Sequence, residues 1–506
     1  MTTGQPTLRD RYRGQRVLLT GASGLVGQAA LEKILRALPD VEQIYLFIRP
    51  RGRTSAQERL PEIFRSPVFE RLRAERPDFD DWWPTKVTAV PGLLGQPRLG
   101  LAPEHWSELA AKLTAVIHIG AIAAFDEPVD RILEVNTCGS LDILELARAA
   151  GNAPMVHVST CYVCGDNPGT HGETVMPWGH TPATLARDDV PTHDPEAELR
   201  ELLRRSEQIR LDPTGVDADV RLRRMGHRVA NKHGWPNAYP MSKAWAEQML
   251  VRRRGEVPLA IVRPAIVEST LSDPRPGWLT GLRMVDPLIV SMGRSVLEVF
   301  PGDRDTLIDF VPCDLAVNAI LAALPAPGSR EEPKVYQAAG SAKNPLTQGR
   351  FHDYCREGLE ADPFYDAEGS PLEPAHIELV DQERFVRVVS REIHKLQGRI
   401  AEAEHLGRPT RPLRLSLRFL RYALRLGRTY APYTVHELRF TTDELDRLER
   451  SLSEADRFQF PMDVSRVDWR DYVTRVHVPA VRRESGEPRS GAASQEVRRT
   501  RSAGPA

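Results

Sequence analysis

The chain is expected to fold as an α/β protein, with a doubly wound, mainly parallel sheet followed by a mostly helical C-terminal domain. Short apolar runs read as strands at 16–20, 43–48, 86–90, 114–119, 155–159, 259–263 and 334–337. Helical stretches separate them, and strands alternating with helices indicate a parallel sheet covered on both faces. The alternation then ends, and residues 346–480 read as mostly helical. At 506 residues the chain is also too long for one ordinary core.

The elements justify themselves in order. Arg16-Val-Leu-Leu-Thr20 reads as a buried strand, and a glycine loop follows it. A helical pattern then runs through Leu38 and is stopped by Pro39. Gln43-Ile-Tyr-Leu-Phe-Ile48 reads as the next strand. Between about 166 and 235 the alternation is interrupted by a polar, charged stretch with helical portions such as 196–210, read as an insertion near the mouth of the active site. A second irregular stretch covers 268–310. The expected domains are therefore 1–345 and 346–480, with a tail over 481–506 that is rich in Arg, Ser, Gly, Glu and Ala and is expected to be disordered.

Composition narrows the function. Charged residues are 27% of the chain and the net charge is -1, which argues for a soluble protein and against a nucleic-acid partner. The five cysteines suggest free thiols in a reducing compartment. Cys161 and Cys164 form a C-x-x-C, but they sit in a strand-like run with no second pair, so no metal or redox role is expected. The N-terminus has no apolar leader pattern and no run is long and apolar enough for a transmembrane helix, so the expected location is the cytoplasm.

Two motifs carry chemistry. Gly21-Ala-Ser-Gly24-Leu-Val-Gly27 directly follows the first strand and opens a helix. Free amides at such a helix N-terminus hold a pyrophosphate, and the glycines let the backbone approach it. At the end of the second strand there is no acid to meet a ribose hydroxyl; Arg49 stands there, with Arg51 and Arg53 close behind. Guanidinium groups suit a 2′-phosphate, which favours NADPH over NADH. The bland alternative is that these arginines are solvated loop charges. The second motif is Tyr239-Pro-Met-Ser-Lys243. Four residues is about one helical turn, so the phenol and ammonium share a face. A nearby cation would lower the phenol pKa and ready it to donate a proton to a carbonyl oxygen.

With these residues in view, the chain resembles the extended short-chain dehydrogenase/reductases of Rossmann type, and more narrowly the fatty acyl-CoA reductases of the "male sterility" type. The resemblance is carried by His118-Ile-Gly-Ala121, Phe125-Asp-Glu-Pro128, Asn136-Thr-Cys-Gly139, Val158-Ser-Thr-Cys-Tyr-Val163 and Gly234 through Lys243. Val262-Arg-Pro-Ala-Ile-Val267, Pro274 through Trp278 and Asp309-Phe-Val-Pro-Cys-Asp314 add to it. The C-terminal region is similar more loosely, through Phe458-Gln-Phe460, Val467-Asp-Trp469 and Tyr472. Gly92-Leu93 departs from the family's usual Gly-Asp.

The resemblance implies a mechanism and a site. Thr160 would hydrogen-bond the substrate carbonyl, Tyr239 would donate the proton, and Lys243 would hold the nicotinamide ribose and lower the tyrosine pKa. The implied cofactor set is Thr20, Gly21, Ser23, Gly24, Leu25, Val26, Gly27, Arg49, Arg53, Gly120, Tyr239, Lys243, Pro264 and Ile266, with no metal. Hydride transfer to a thioester gives a hemithioacetal, which collapses to aldehyde and expels CoA thiolate. A second reduction would give a primary alcohol. The alternatives are a reductase that stops at the aldehyde, an extended family member acting on another substrate, and a non-catalytic NADP(H)-sensing scaffold. The acyl donor is read as acyl-CoA, with acyl carrier protein open.

Several residues have a structural reading beside the functional one. His118 reads as packed rather than acidic, Ser159 as an ordinary strand residue satisfied by backbone, Asn136 as a structural hydrogen-bonder, Asn237 as orienting the catalytic helix, and Trp235 and Trp278 as core. The basic, apolar run from Arg411 reads as a helix packing its leucines on a core and exposing its arginines, in preference to a peripheral membrane contact.

Overall fold

The computed structural model describes residues 6–212, 217–329, 331–366 and 368–486. Seven strands form one sheet: β1 Arg16–Thr20, β2 Gln43–Ile48, β3 Val87–Pro91, β4 Ala115–His118, β5 Met155–Val158, β6 Leu259–Pro264 and β7 Lys334–Ala338. Their order is β7-β6-β5-β4-β1-β2-β3, and every pair is parallel. All residues of β4, β5 and β6 are buried. Helices on both faces explain why these strands read as continuous apolar runs without alternation.

The strand order reverses between β1 and β4, which opens a crevice at the C-terminal ends of the strands. Thr20 pairs with His118 across that crevice, and His118 pairs with His157 on β5. The ends of three strands therefore bring polar side chains side by side.

Helix α1 (Leu25–Ala37) follows β1. The stretch expected as a polar insertion is largely helical, with α2 (Pro195–Leu211) and α3 (Ala218–Lys232) preceding α4 (Ala238–Arg253). It builds its own apolar cluster: Leu199, Leu202, Leu222 and Ala230 pack with Trp235, Met241 and Trp245. Trp235 is thus core, with its indole N–H donating to the Val163 carbonyl at 2.8 Å. Two acids of the Asp309–Asp314 motif are staples. Asp309 accepts from the Gly340 and Ser341 amides at 2.8 and 2.9 Å, and Asp314 from the Leu271, Ser272 and Asp273 amides at 2.8, 2.9 and 3.0 Å.

The chain divides into two compact units. One comprises residues up to 275 with 309–344 and 438–466; the other comprises 276–308, 345–437 and the stretch from 467. The 346–480 stretch thus contributes to both. In the second unit α5 (Gln382–His405) packs against α6 (Arg411–Val435). The buried positions of α6 include Ala423, Gly427 and Ala431, and a Cβ on Gly427 would stand 2.2 Å from the Phe385 ring. Small residues at four-residue spacing make this interface, so the leucines expected to fill a core are at best half-buried and Leu415 is exposed. Of the tail expected to be disordered, 487–506 lies outside the described residues, while the helix Val478–Glu484 carries order past 481. Among the described residues no helix is long and apolar enough to cross a membrane.

Candidate active site

The glycine turn is shaped for close approach. Gly21 lies at φ +78°, and a Cβ there would stand 2.8 Å from the Gly120 amide nitrogen. A Cβ on Gly27 would fall 2.1 Å from the Gly21 carbonyl oxygen. Both positions require glycine. Gly24 caps α1 without a side-chain hydrogen bond, and the first turn carries no acid. The positive end of the helix is therefore left for an external anion, and a dinucleotide pyrophosphate fits it. Ser23 is exposed, Leu25 is buried and Val26 is half-buried. Arg49 and Arg53 are both exposed.

A hydrogen-bond chain stiffens the floor of the crevice. The Gly120 amide donates to Thr20 Oγ1 at 2.9 Å, and Thr20 Oγ1 lies 2.8 Å from His118 Nδ1. His118 Nε2 lies 3.1 Å from Ser140 Oγ, which donates to the Asn136 carbonyl at 2.6 Å. A fixed donor at one end, the Gly120 amide, and a fixed acceptor at the other, the Asn136 carbonyl, set the polarity. Thr20 gives its proton to Nδ1, so His118 is the Nε2–H tautomer. Burial, helped by Lys243, pushes this imidazole down to about 3. His118 is therefore neutral and structural, in accord with its packed reading.

Asn136 sits in a π-helical turn, Glu134–Cys138. Its side chain accepts from the Ile122 amide at 2.8 Å and donates to the Ile122 carbonyl and to Ser242 Oγ, both at 3.0 Å. It thus ties the loop after β4 to α4, consistent with a structural role.

The catalytic candidates stand just past β5 and on α4. Asn237 caps α4 by accepting from the Tyr239 amide at 3.0 Å. Thr160 begins a 3₁₀ turn, Cys161–Cys164, and accepts from the Tyr162 amide at 3.3 Å. The C-x-x-C therefore lies in a turn where strand was expected. Both thiols are raised by burial, Cys164 to about 12, and Cys161 donates to the Arg263 carbonyl at 3.0 Å.

Burial pushes the Tyr239 phenol up to about 12, with the neighbouring Thr160 hydroxyl pulling the other way. Lys243 is buried, and its Nζ lies 3.2 Å from His157 Nε2. Burial brings the amine down to about 7, against the attraction of Glu247. Thr160, and not Lys243, is the group that lowers the Tyr239 phenol, so the expected acidification by Lys243 is not seen here. An ammonium in a dry pocket is costly without an anion, and Glu247 is engaged by Arg263 at 2.5 Å.

Sequence reasoning passed over His157 and the Glu247–Arg263 pair. Glu247 lies one turn beyond Lys243, so the helical spacing that united Tyr239 with Lys243 also pointed to it. Ser159 departs from its expected reading: its backbone amide donates to the Val262 carbonyl at 2.7 Å, but its buried Oγ has no partner among the described residues. Pro264 ends β6, and Ile266 begins a short strand paired with Phe310–Pro312. A cavity of about 440 Å³ is lined by Cys161, Val163, Ala244, Glu247 and Arg263 among others. Neither Thr160, Tyr239 nor Lys243 lines it, so it is not assigned to the reacting centre.

Comparison with known proteins adds the family. The family described as "Male sterility protein" matches residues 19–320 with its NAD-binding part and 407–484 with its "Sterile" part. The chain is 30% identical to the chloroplastic fatty acyl-CoA reductase 2 of Arabidopsis thaliana, over 93% of this chain and 78% of the relative. It is 28% identical to the alcohol-forming fatty acyl-CoA reductase of Simmondsia chinensis, over 92% and 96%. In fold it is similar to the terminal R domain of the myxalamid PKS-NRPS pathway, with TM-score 0.59 and 18% identity over 94% of this chain and 92% of that one. A glycine cradle at a sheet switch point and a Thr160 hydroxyl beside the Tyr239 phenol agree with these matches: the chain is an oxidoreductase that binds a nicotinamide cofactor and belongs to the male sterility family of fatty acyl-CoA reductases.

Proposed function

We propose that this chain is an NADPH-dependent fatty acyl-CoA reductase that takes long-chain acyl-CoA through the aldehyde to a primary alcohol. The observation that carries the reading is the meeting of Thr160, just past the C-terminal end of β5, with Tyr239 on α4, whose Lys243 reaches His157 of β5 at 3.2 Å. A phenol near 12 keeps its proton at neutral pH, so Tyr239 is charged with the proton that a carbonyl oxygen needs on reduction. Thr160 and Tyr239 together present two hydroxyls to one oxyanion. The nicotinamide cofactor, when bound, supplies the hydride. The α1 N-terminus would hold its pyrophosphate, Arg49 and Arg53 would meet the 2′-phosphate, and Lys243 would meet the ribose. Collapse of the hemithioacetal releases CoA thiolate, and the same two hydroxyls serve the aldehyde carbonyl in a second round.

Incubation of the purified chain with NADPH and palmitoyl-CoA tests this, with products identified by mass. About two NADPH consumed per CoA released supports the alcohol, and about one supports arrest at the aldehyde. Activity with NADH equal to that with NADPH would remove the role given to Arg49 and Arg53. Cytoplasmic location remains part of the proposal, to be read by cell fractionation.

A further inference from the structure

We propose a zinc site, outside the reacting centre, formed by His193, Glu198 and His233. His193 precedes α2, Glu198 lies in its first turn, and His233 closes α3 as its C-cap. Their ligating atoms all lie within 4.8 Å of one another. Glu198 Oε2 is 2.9 Å from His233 Nε2, which donates to this carboxylate, and 3.6 Å from His193 Nε2, so the metal would take the place of the His233 proton. Tetrahedral zinc with bonds of about 2.0–2.1 Å sets its ligand atoms roughly 3.3 Å apart, so small shifts close the triangle.

The ring chemistry points the same way. His193 Nδ1 stands 3.0 Å from the Gly179 carbonyl, which can only accept, so the proton is on Nδ1 and the lone pair on Nε2. That Nε2 is buried and has no hydrogen-bond partner among the described residues. A histidine that donates its other N–H to a carbonyl is the usual state of a metal ligand. The two imidazoles stack at 4.6 Å, and the buried Trp245 ring lies 5.8 Å from one and 6.4 Å from the other, while Lys232 Nζ, on a mostly exposed side chain, stands 4.0 Å from Glu198 Oε1. Glu198 keeps 21% of its side chain exposed, which provides an entry path and room for a water as fourth ligand. Two imidazoles and one carboxylate are a nitrogen and oxygen set that suits zinc.

The ion would be structural. It would join the loop before α2 to the end of α3, and the Gly179 amide in turn donates to Gln248 on α4 at 3.1 Å. The site thus braces the segment leading into Tyr239. It stands independently of the acyl reduction.

The test uses the full-length chain with any affinity tag removed, stripped with EDTA and titrated with ZnCl₂. The expected result is about one zinc per chain by elemental analysis. His193→Ala and His233→Ala should each weaken binding at least tenfold, while His405→Ala, at an exposed position, should not. Zinc should raise the thermal midpoint of the wild-type chain and not that of the double variant. Zinc bound equally by the double variant, or no zinc bound by the wild type, overturns the site. Should the variants not fold, cobalt decides: visible bands of a tetrahedral nitrogen and oxygen site in the wild type support it, and a featureless spectrum overturns it.

Discussion

The two sides of the crevice are built on opposite rules. On the nucleotide side, the run from Gly120 through Thr20, His118 and Ser140 to Asn136 gives each donor an acceptor and fixes one tautomer. On the proton-transfer side, Ser159 Oγ and His157 Nδ1 are buried without partners among the described residues, and Lys243 sits as a weakened base. A buried polar atom left unpaired costs about 1–3 kcal/mol. The hydrogen-bond chain of the first side is satisfied by protein groups, whereas the second keeps buried polar atoms without protein partners among the described residues. The difference teaches where rigidity ends and chemistry begins.

The largest effect should come from the side that waits. Tyr239→Phe removes the proton donor and leaves the ring and the Asn237 cap in place, so kcat with acyl-CoA should fall by about 10²- to 10⁴-fold. Cofactor binding, read by protection of the fold against heat, should persist. Unchanged turnover would erase the distinction between the two sides.

Next in size is a pH effect on stability. Lys243 lies near 7 in the folded chain and at its ordinary 10.5 when unfolded. Between those values unfolding takes up a proton, so stability rises with pH across this window, by up to about 1.4 kcal/mol per pH unit. Below pH 7 both states are protonated and the contribution is flat. Lys243→Met should remove that slope, measured from urea unfolding of the cofactor-free chain at pH 7 to 10. Parallel profiles for the two proteins would show that the amine keeps an ordinary pKa in the fold.

Much of this was readable beforehand. The limits of β1 and β2 follow from apolar runs ended by Gly21 and Arg49, and the parallel topology follows from the alternation. The glycine turn was legible because backbone approach leaves a spacing in the chain. Lys243 and His157 were not, because their meeting depends on the register of β5 beneath α4, which no local pattern encodes. The same holds for α6, whose Ala423, Gly427 and Ala431 stripe was hidden among more conspicuous leucines and arginines. The stretch around α2 and α3 read as polar because its apolar residues are few and widely spaced, yet Leu199, Leu202 and Leu222 suffice for a cluster once α4 supplies Met241 and Trp245.

The two smallest effects set the sides directly against each other. Thr20→Val keeps the shape but strands the Gly120 amide and His118 Nδ1, so the cofactor-free chain should lose about 2–4 kcal/mol. Ser159→Ala deletes a hydroxyl that has no partner, so its stability should change by under about 0.5 kcal/mol, or rise. If both variants lost stability equally in urea, Ser159 would be satisfied in solution and the asymmetry would not exist. If Ser159→Ala left stability intact but raised KM for acyl-CoA, the orphaned hydroxyl would be assigned to the thioester, because its loss would act on substrate binding and not on the fold.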